Sequence, residues 1–393
     1  MPIVFFGART PLKFLVLMVA IVAIHSVCAS DSAPATSNIN SAEYPRVGSD
    51  LSVTFRLKAP NAKEVKLEGG TGLIKAPLAM TNSPDGMWSV TTPPSVPGFH
   101  YYWFTVDGLR VNDSASYSWF GWGRETSGIE IPEAGVDFYD AKKDVPHGEI
   151  RIRSYFSEIT GKWRRAHIYT PPGYDHASTT RYPVLYLLHG AGENERGWVE
   201  QGRAQNIFDN LLASGPTKPM IAVIDSGYAA YPVAFSASKS STPANPTAAF
   251  EKVMLQELIP FIDTTYRTLA SRENRAMAGL SMGSGQTLNI TLHHLDQFAW
   301  IGAMSGPPRQ GFEVSTAYDG VFRDISAFNN RVKLLWFGSG TAEERIYAST
   351  RAVYESLQQS GIHCQLYSSP GTDHEWQTWR RSLHELAPKL FHP

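Results

Sequence analysis

Short runs of alternating apolar and polar residues mark the first third of the chain. Leu51–Leu57 alternates strictly, and Val65–Glu68, Leu78–Met80, Trp88–Thr91, Gly98–Val106 and Leu109–Val111 follow it. Turn formers separate them, notably Ser83–Gly86 and Asp107-Gly108. A period of two, punctuated by Gly, Pro and Asp, predicts half-buried strands. No helical stretch interrupts residues 44–131, so these strands are expected to pair into a β-sandwich. Residues 30–43 are small and polar and read as a flexible lead-in. Tyr117, Trp119, Phe120 and Trp122 open an aromatic, Pro/Gly-punctuated stretch running to about residue 145. So many aromatics together predict packing against another surface, and residues 132–147 read as the linker to a second domain.

From 148 onward the period changes. Glu149–Phe156 and Trp163–Thr170 read as two antiparallel strands ending at Pro171-Pro172-Gly173. Tyr182–Gly190 and Met220–Asp225 are nearly continuous apolar runs, the mark of strands buried on both faces. Asn206–Ala213 suits a helix, and Phe250–Tyr266 carries apolar residues at Val253, Met254, Leu258 and Ile262, the helical period. The chain then predicts a strand ending near Leu280 with a helix after it, strands at Phe298–Ser305 and Lys333–Gly340, a helix over Glu344–Gly361, a strand at Cys364–Tyr367 and a closing helix over Trp376–Leu390. Regular alternation of strand and helix over 148–393 predicts a mostly parallel sheet with flanking helices.

Composition narrows the setting. The 393 residues suffice for two domains, and 42% hydrophobic against 18% charged residues allows a sizeable core. A formal net charge of −1 offers nothing to a polyanion, so nucleic acid is not an expected partner. At the N-terminus Arg9 and Lys13 precede the apolar run Phe14–Ile24, and Val27-Cys28-Ala29 supplies small residues before a cleavage point. Residues 1–29 therefore read as a secretory signal peptide, the alternative being an uncleaved membrane anchor. The mature protein is expected to be secreted, periplasmic or extracellular, without membrane contact. Of the two cysteines, Cys28 lies in that signal and Cys364 in a strand-like segment, so a buried thiol and no internal disulfide are expected. No Cys/His spacing suits zinc, and neither metal nor other cofactor is expected. Nothing in the pattern specifies an oligomeric state.

The candidate chemistry centres on Gly279-Leu280-Ser281-Met282-Gly283. This is G-x-S-x-G between a predicted strand and a predicted helix, the setting in which a tight turn presents a nucleophilic serine at the top of an α/β-hydrolase sheet. The pentapeptide alone is common, so its partners decide. A serine hydroxyl needs a base and the base an orienting acid, in the chain order Ser, acid, His. His374 stands after the last predicted strand and before the last helix, where the base belongs; His293, His294, His363, His384 and His392 fit less well. The acid is sought after Lys333–Gly340, where Thr341-Ala342-Glu343-Glu344 offers two glutamates and no aspartate. Glu343 is preferred, and Glu344 is the alternative. Oxyanion donors are expected from the backbone N–H of Met282 and from Ala191, in the loop His189–Glu193. Trp198, Tyr228, Trp376 and Trp379 are candidates to line the substrate pocket, each of them equally suited to a core.

Ala278–Ile290, its approach Leu258–Arg267, Tyr182–Gly190 and Pro370–Trp376 resemble bacterial feruloyl esterases of carbohydrate esterase family 1, the esterase D-like α/β-hydrolases. The resemblance covers residues 148–393. Residues 44–131 resemble the immunoglobulin-like, carbohydrate-binding-module-48-like (CBM48, E-set) domain that precedes many of these enzymes. It implies a serine esterase that removes feruloyl or acetyl groups from plant xylan, with an acylated polysaccharide or oligosaccharide as partner. The family usually carries Asp where Glu343 stands. Two other readings stay open. Enterochelin esterases share the two-domain layout, but a polyanionic siderophore asks for basic pocket residues, for which Arg196 and Arg203 are the local candidates. A non-catalytic glycan-binding protein on the same scaffold is the other.

Overall fold

The computed structural model describes residues 1–3, 31–177, 179–215, 217–230, 247–306 and 311–392. The expected signal peptide, apart from its first three residues, lies outside the described residues. Among the described residues no helix is long and apolar enough to cross a membrane.

Residues 31–131 form two antiparallel sheets packed face to face. One orders the strands 32–34, 46–48, 53–58, 87–91 and 81–82; the other orders 119–121, 124–131, 98–106, 65–69 and 78–79, with 109–111 paired to 98–106. The period of two does its expected work here: Val53 and Phe55 point inward to meet Leu67, Tyr102, Phe104, Ile129 and Ile131, while Arg56 and Lys58 stay in solvent.

Two expectations are corrected. Ser32–Pro34, placed in a flexible lead-in, pairs with Arg46–Gly48 as an edge strand, and Ala35 is buried behind it. Arg124–Ile131, in the aromatic stretch for which no strand was expected, is a long central strand paired with Gly98–Tyr102. Its polar letters hid it. Thr126, Ser127 and Glu130 are buried and bonded within the protein: the Thr126 hydroxyl donates to the Tyr102 carbonyl and Glu130 accepts from Arg380. Of the aromatics just before it, Trp119 is packed, whereas Tyr117 and Trp122 remain more than half exposed.

The second domain is an eight-stranded sheet: β1 (Glu149–Ser157), β2 (Lys162–Thr170), β3 (Val184–Leu188), β4 (Ile221–Asp225), β5 (Arg275–Leu280), β6 (Trp300–Met304), β7 (Leu334–Gly340) and β8 (Gln365–Ser369). Their spatial order is β1-β2-β4-β3-β5-β6-β7-β8, with β2 antiparallel to both neighbours and every pair from β4 to β8 parallel. This is the α/β-hydrolase fold. Alternate residues of each inner strand serve opposite faces. Leu185 and Leu187 pack with α1 (Ala204–Ser214) and α5 (Trp376–Leu386) on one side. On the other, Tyr186 and Leu188 pack with α2, a continuous run of Phe250–Lys252, a π-helical Val253–Leu258 and Ile259–Thr265. The helices α3 (Met282–His293) and α4 (Glu344–Gln359) cover that same side. Cys364 is a buried free thiol there, its pKa pushed up to about 11 by burial.

The two domains share one core. Strand 98–106 gives Tyr102 and Phe104 to the sandwich and Phe99 and Tyr101 to the cluster that holds Trp198, Trp376 and Leu383. Across this contact Arg380, with a fully buried side chain, donates to Glu130 at 2.6 and 3.1 Å and through Nε to the Gln201 carbonyl at 2.9 Å. Arg203 reaches the same carboxylate at 3.1 Å. Burial alone would raise the Glu130 pKa; the two guanidiniums hold it below the usual carboxylate range.

A buried pair of this kind is costly to break from one side and cheap to remove whole. Arg380→Met is expected to lose about 3–5 kcal/mol of unfolding free energy in denaturant titration, and Arg380→Met combined with Glu130→Met to recover most of that loss. Additive losses in the double variant would contradict the pairing.

Candidate active site

Ser281 sits between β5 and α3 with φ 52° and ψ −113°, a conformation that ordinary side chains avoid. The flanking glycines make it possible. A Cβ on Gly279 would lie 2.4 Å from the Gly283 carbonyl oxygen, and one on Gly283 would lie 2.6 Å from the His189 carbonyl oxygen and 2.8 Å from Leu188 Cβ. The Ser281 N–H donates to the Met304 carbonyl at 2.8 Å, tying the turn to β6. Gly285, by contrast, has open space around it.

Three strand ends meet at this serine. His374 follows β8, and its Nε2 lies 3.0 Å from Ser281 Oγ. Glu343 follows β7, and its Oε1 lies 2.6 Å from His374 Nδ1. Of the two candidate glutamates it is the one at the histidine; Glu344 is exposed at the first turn of α4. The Glu343 side chain is fully buried. Its Oε2 accepts from Ser305 Oγ at 2.9 Å, Ser339 Oγ at 2.7 Å and the Gly340 N–H at 2.6 Å, donors that offset the cost of a buried negative charge. The carboxylate therefore receives Nδ1–H, which leaves Nε2 free to accept from Ser281.

The loop after β3 faces the same serine. A Cβ on Gly190 would meet Leu280 at 2.6 Å and Ser281 Cβ at 3.4 Å. His189 is wholly buried and braces this loop. Its Nε2 accepts the Gly227 N–H at 2.9 Å, so Nδ1 carries the proton and donates to the Gly190 carbonyl at 2.8 Å. Burial lowers its pKa to about 4, keeping it neutral. Met282 opens α3, where a first N–H has no partner within the helix. The Ala191 N–H, exposed in the loop, has no acceptor among the described residues. Both amides are thus free to donate.

The aromatic candidates fare differently. Trp198 and Trp376 are buried core residues that cross edge to face at 5.4 Å, which corrects their reading as pocket walls. Their N–H groups are spent on the Leu188 carbonyl and on Tyr101. Trp379 is also buried: its ring meets His374 edge-on at 5.1 Å and its Nε1 donates to Ser305 Oγ at 3.0 Å. It steadies the histidine and the carboxylate's donor. Tyr228 is half-buried and its hydroxyl accepts the Gly192 N–H at 2.7 Å. Arg196 is paired with Glu200 and Glu125, and Arg203 with Glu130 and Asp140, so neither is a spare pocket cation.

Beside Met282 lies a cavity of about 690 Å³. Met282, Ile290 and Phe312 give it apolar surface; Glu251, Glu313 and Asp319 make it acidic, and His293 is the one basic side chain lining it among the described residues. No cluster of side chains suited to a metal ion is present among the described residues.

Sequence reasoning did not find Ser305, Ser339, Tyr101 or Glu193. The Tyr101 hydroxyl reaches over from the sandwich to donate to Glu193 Oε1 at 3.0 Å, while the Gly123 N–H donates to the Gly192 carbonyl at 2.8 Å. Glu375, next to the histidine, also faces the sandwich: its Oε2 lies 3.4 Å from His100 Nδ1 and makes no hydrogen bond among the described residues. His100 Nε2 donates to the Val96 carbonyl at 2.6 Å. Burial raises both Glu193 and Glu375 to about 7 and lowers His100 to about 4.

Residues 157–390 match the Esterase family. The chain is 40% identical over 367 residues to a protein named endo-1,4-beta-xylanase/feruloyl esterase from Xylanibacter ruminicola, covering 92% of this chain and 48% of that protein. It thus spans about half the length of that relative. It is 24% identical over 264 residues to endo-1,4-beta-xylanase Y of Acetivibrio thermocellus, covering 61% of this chain and 23% of that protein. Among solved structures, a CE1 ferulic acid esterase of Anaeromyces mucronatus matches with a TM-score of 0.54 at 24% identity, over 65% of this chain and 95% of that one. An enterochelin esterase of Shigella flexneri matches with a TM-score of 0.62 at 19% identity, over 87% and 93%. At these identities the structural likeness speaks for the fold.

Two outcomes test this geometry. Gly279→Ala and Gly283→Ala are each expected to lower the melting temperature by several degrees or to prevent folding, whereas Gly285→Ala, in open helix, is expected to raise it slightly, for a stability gain of up to about 1 kcal/mol. Equal effects at the three positions would contradict the crowding at the turn. The pH dependence follows from the raised carboxyl of Glu375. A folded pKa near 7 against 4.5 unfolded gives stability present below about pH 4.5 and lost as pH rises through 7. Glu375→Gln should therefore gain on the natural protein between pH 5 and pH 8, by about 2–3 kcal/mol. Parallel melting curves across that range would refute the raised pKa.

Proposed function

The chain belongs to the Esterase family, and on that premise we propose that Ser281, His374 and Glu343 form its catalytic triad and that it removes feruloyl groups, or acetyl groups next in order, from xylan-type polysaccharide. The observation that carries the reading is the unbroken line Ser281–His374–Glu343, with contacts of 3.0 and 2.6 Å. His374 Nε2 takes the proton as Ser281 Oγ attacks the ester carbonyl. The negative charge that develops on the carbonyl oxygen meets the N–H groups of Met282 and Ala191. Collapse expels the alcohol, protonated by His374, and leaves the acyl group on Ser281. Water, deprotonated by His374, then attacks the acyl carbonyl, and Ser281 leaves with the proton. Glu343 keeps the imidazole in the tautomer that both halves need. Trp379, behind the ring, fixes its orientation.

The acyl side is assigned to the cavity beside Met282. Its apolar walls suit an uncharged aromatic acid, and its three carboxylates oppose a polyanionic catecholate. With Arg196 and Arg203 engaged elsewhere, the siderophore reading loses its basic contacts. The name of the Xylanibacter relative supports ferulate and xylan as the substrate class. Residues 1–29 support secretion. The sandwich's role as the CBM48-like module is part of the same proposal.

Purified protein should release ferulate from methyl ferulate, and Ser281→Ala should lose at least about 10⁴-fold in kcat. Glu343→Gln is expected to lose on the order of 10²–10⁴-fold and Glu344→Ala less than about twofold. Acetate release from acetylated xylan without ferulate release would move the assignment to acetyl esters. Unchanged activity in Ser281→Ala would end it.

A further inference from the structure

The hairpin β1–β2 carries an aromatic face that the chemistry above does not use. Phe156 and Trp163 stand directly opposite each other in the β1–β2 register. Their rings meet edge to face at 5.7 Å, and both remain open to solvent, Trp163 at 73% and Phe156 at 43%. The same register places Ser154 opposite Arg165 on that face, while Tyr155, Arg164 and Ala166 alternate inward. A soluble surface seldom leaves a tryptophan this bare without a partner.

That tryptophan borders a cavity. A cleft of about 610 Å³ is lined by Ser154, Trp163, Arg165, Glu195, Ser226 and Tyr228 among others, a size within the usual range of small-molecule sites. Tyr228 is part of this lining, and its hydroxyl holds the Gly192 N–H, one residue from Ala191. So is the open indole of Trp163. In the same lining Arg165 Nε is hydrogen-bonded to Glu195 Oε1 at 2.7 Å, with the Arg165 side chain half exposed. The pair sets a guanidinium edge and a carboxylate side by side. Of the other two cations lining the cleft, Arg164 is neutralised by Asp225 at 2.9 Å, and Lys162 adds one positive charge.

We propose that this cleft is a glycan subsite: Trp163 stacks on a pyranose ring of the polysaccharide that carries the ester, and Arg165, Glu195 and Ser154 bind its hydroxyls. Sugar hydroxyls donate and accept at once, which matches a paired guanidinium and carboxylate better than a run of one charge. The apolar face of a pyranose matches an exposed indole, which is apolar in body. Continuity with Tyr228 gives the direction: the acyl group lies toward Ser281 and the sugar chain runs out over the β1–β2 hairpin. The proposal rests on the polysaccharide-esterase reading and adds where the polysaccharide lies.

The test uses two readouts. Binding of xylohexaose, which carries no ester, to the full-length Ser281→Ala protein is measured by calorimetry with and without Trp163→Ala. Hydrolysis by protein with Ser281 intact is compared on feruloylated xylan and on methyl ferulate. Trp163→Ala is expected to weaken xylohexaose binding at least tenfold, and to lower the ratio of kcat/KM on feruloylated xylan to that on methyl ferulate about tenfold through KM, with Trp163→Phe recovering part of both. Unchanged xylohexaose affinity together with an unchanged ratio would overturn the subsite. If neither ester is cleaved while xylohexaose binding still depends on Trp163, the subsite stands and the esterase reading falls. A melting temperature equal to that of the natural protein, expected for so exposed a position, excludes loss of fold as the cause.

Discussion

Everything at the candidate site depends on how closely α3 can approach the end of β3. Gly283 lies against the His189 carbonyl and Leu188, and Gly279 against Gly283 itself, at separations that no Cβ could share. That contact holds Ser281 in a backbone conformation it would not otherwise adopt. It also brings the loop after β3, with Gly190 and Ala191, to the serine from the other side. One steric fit thus sets both the serine's turn and the approach of that loop to it. The strain is sustained because the sheet beneath is closed on both faces: Leu185 and Leu187 are locked into one core, Tyr186 and Leu188 into the other.

The second organising element is a buried negative charge. Glu343 would be intolerable at the end of β7 without Ser305, Ser339 and the Gly340 N–H on one oxygen and His374 on the other. These donors come from the ends of β6, β7 and β8, so the parallel sheet assembles them merely by ending its strands at one edge. The glutamate is accommodated because both of its oxygens are met, Oε2 by three donors and Oε1 by His374. Trp379 joins the set from α5, touching both His374 and Ser305.

The sandwich belongs to this arrangement physically. Phe99 and Tyr101 lie in the hydrolase core, Arg380 and Glu130 pair across the contact, Tyr101 and Gly123 hold Glu193 and Gly192, and His100 lies beside Glu375. Two of these partners flank Ala191 or follow it closely, and the third is next to His374. The first domain therefore bears directly on the loop that holds Ala191 and on the segment that holds His374.

Much of this was legible in the chain. The period of two over 51–111 and the apolar runs at 182–190, 220–225 and 298–305 mark strands because burial on one or both faces imposes those patterns directly on the residues. Gly279-Leu280-Ser281-Met282-Gly283 and His374 are readable for the same kind of reason: a local steric demand, or a place at a strand end, leaves its trace within a few residues. Arg124–Ile131 escaped because its buried polar residues are satisfied by partners distant in sequence, and Ser32–Pro34 because an edge strand of three residues has no period to show. Trp198 and Trp376 could have faced a substrate or each other, and only the packing of α5 against the sandwich decided for the core. The choice between Glu343 and Glu344 turned on where β7 stops and α4 begins, a matter of one residue. Neighbouring residues were enough for most of the elements, the Gly279–Gly283 turn and the candidate base, since each leaves its trace locally. Folding in three dimensions was needed for the Ser305 donor to the carboxylate, the sandwich's contacts with the loops at the site and the open tryptophan over its cleft, because each depends on contacts between residues tens to hundreds of positions apart.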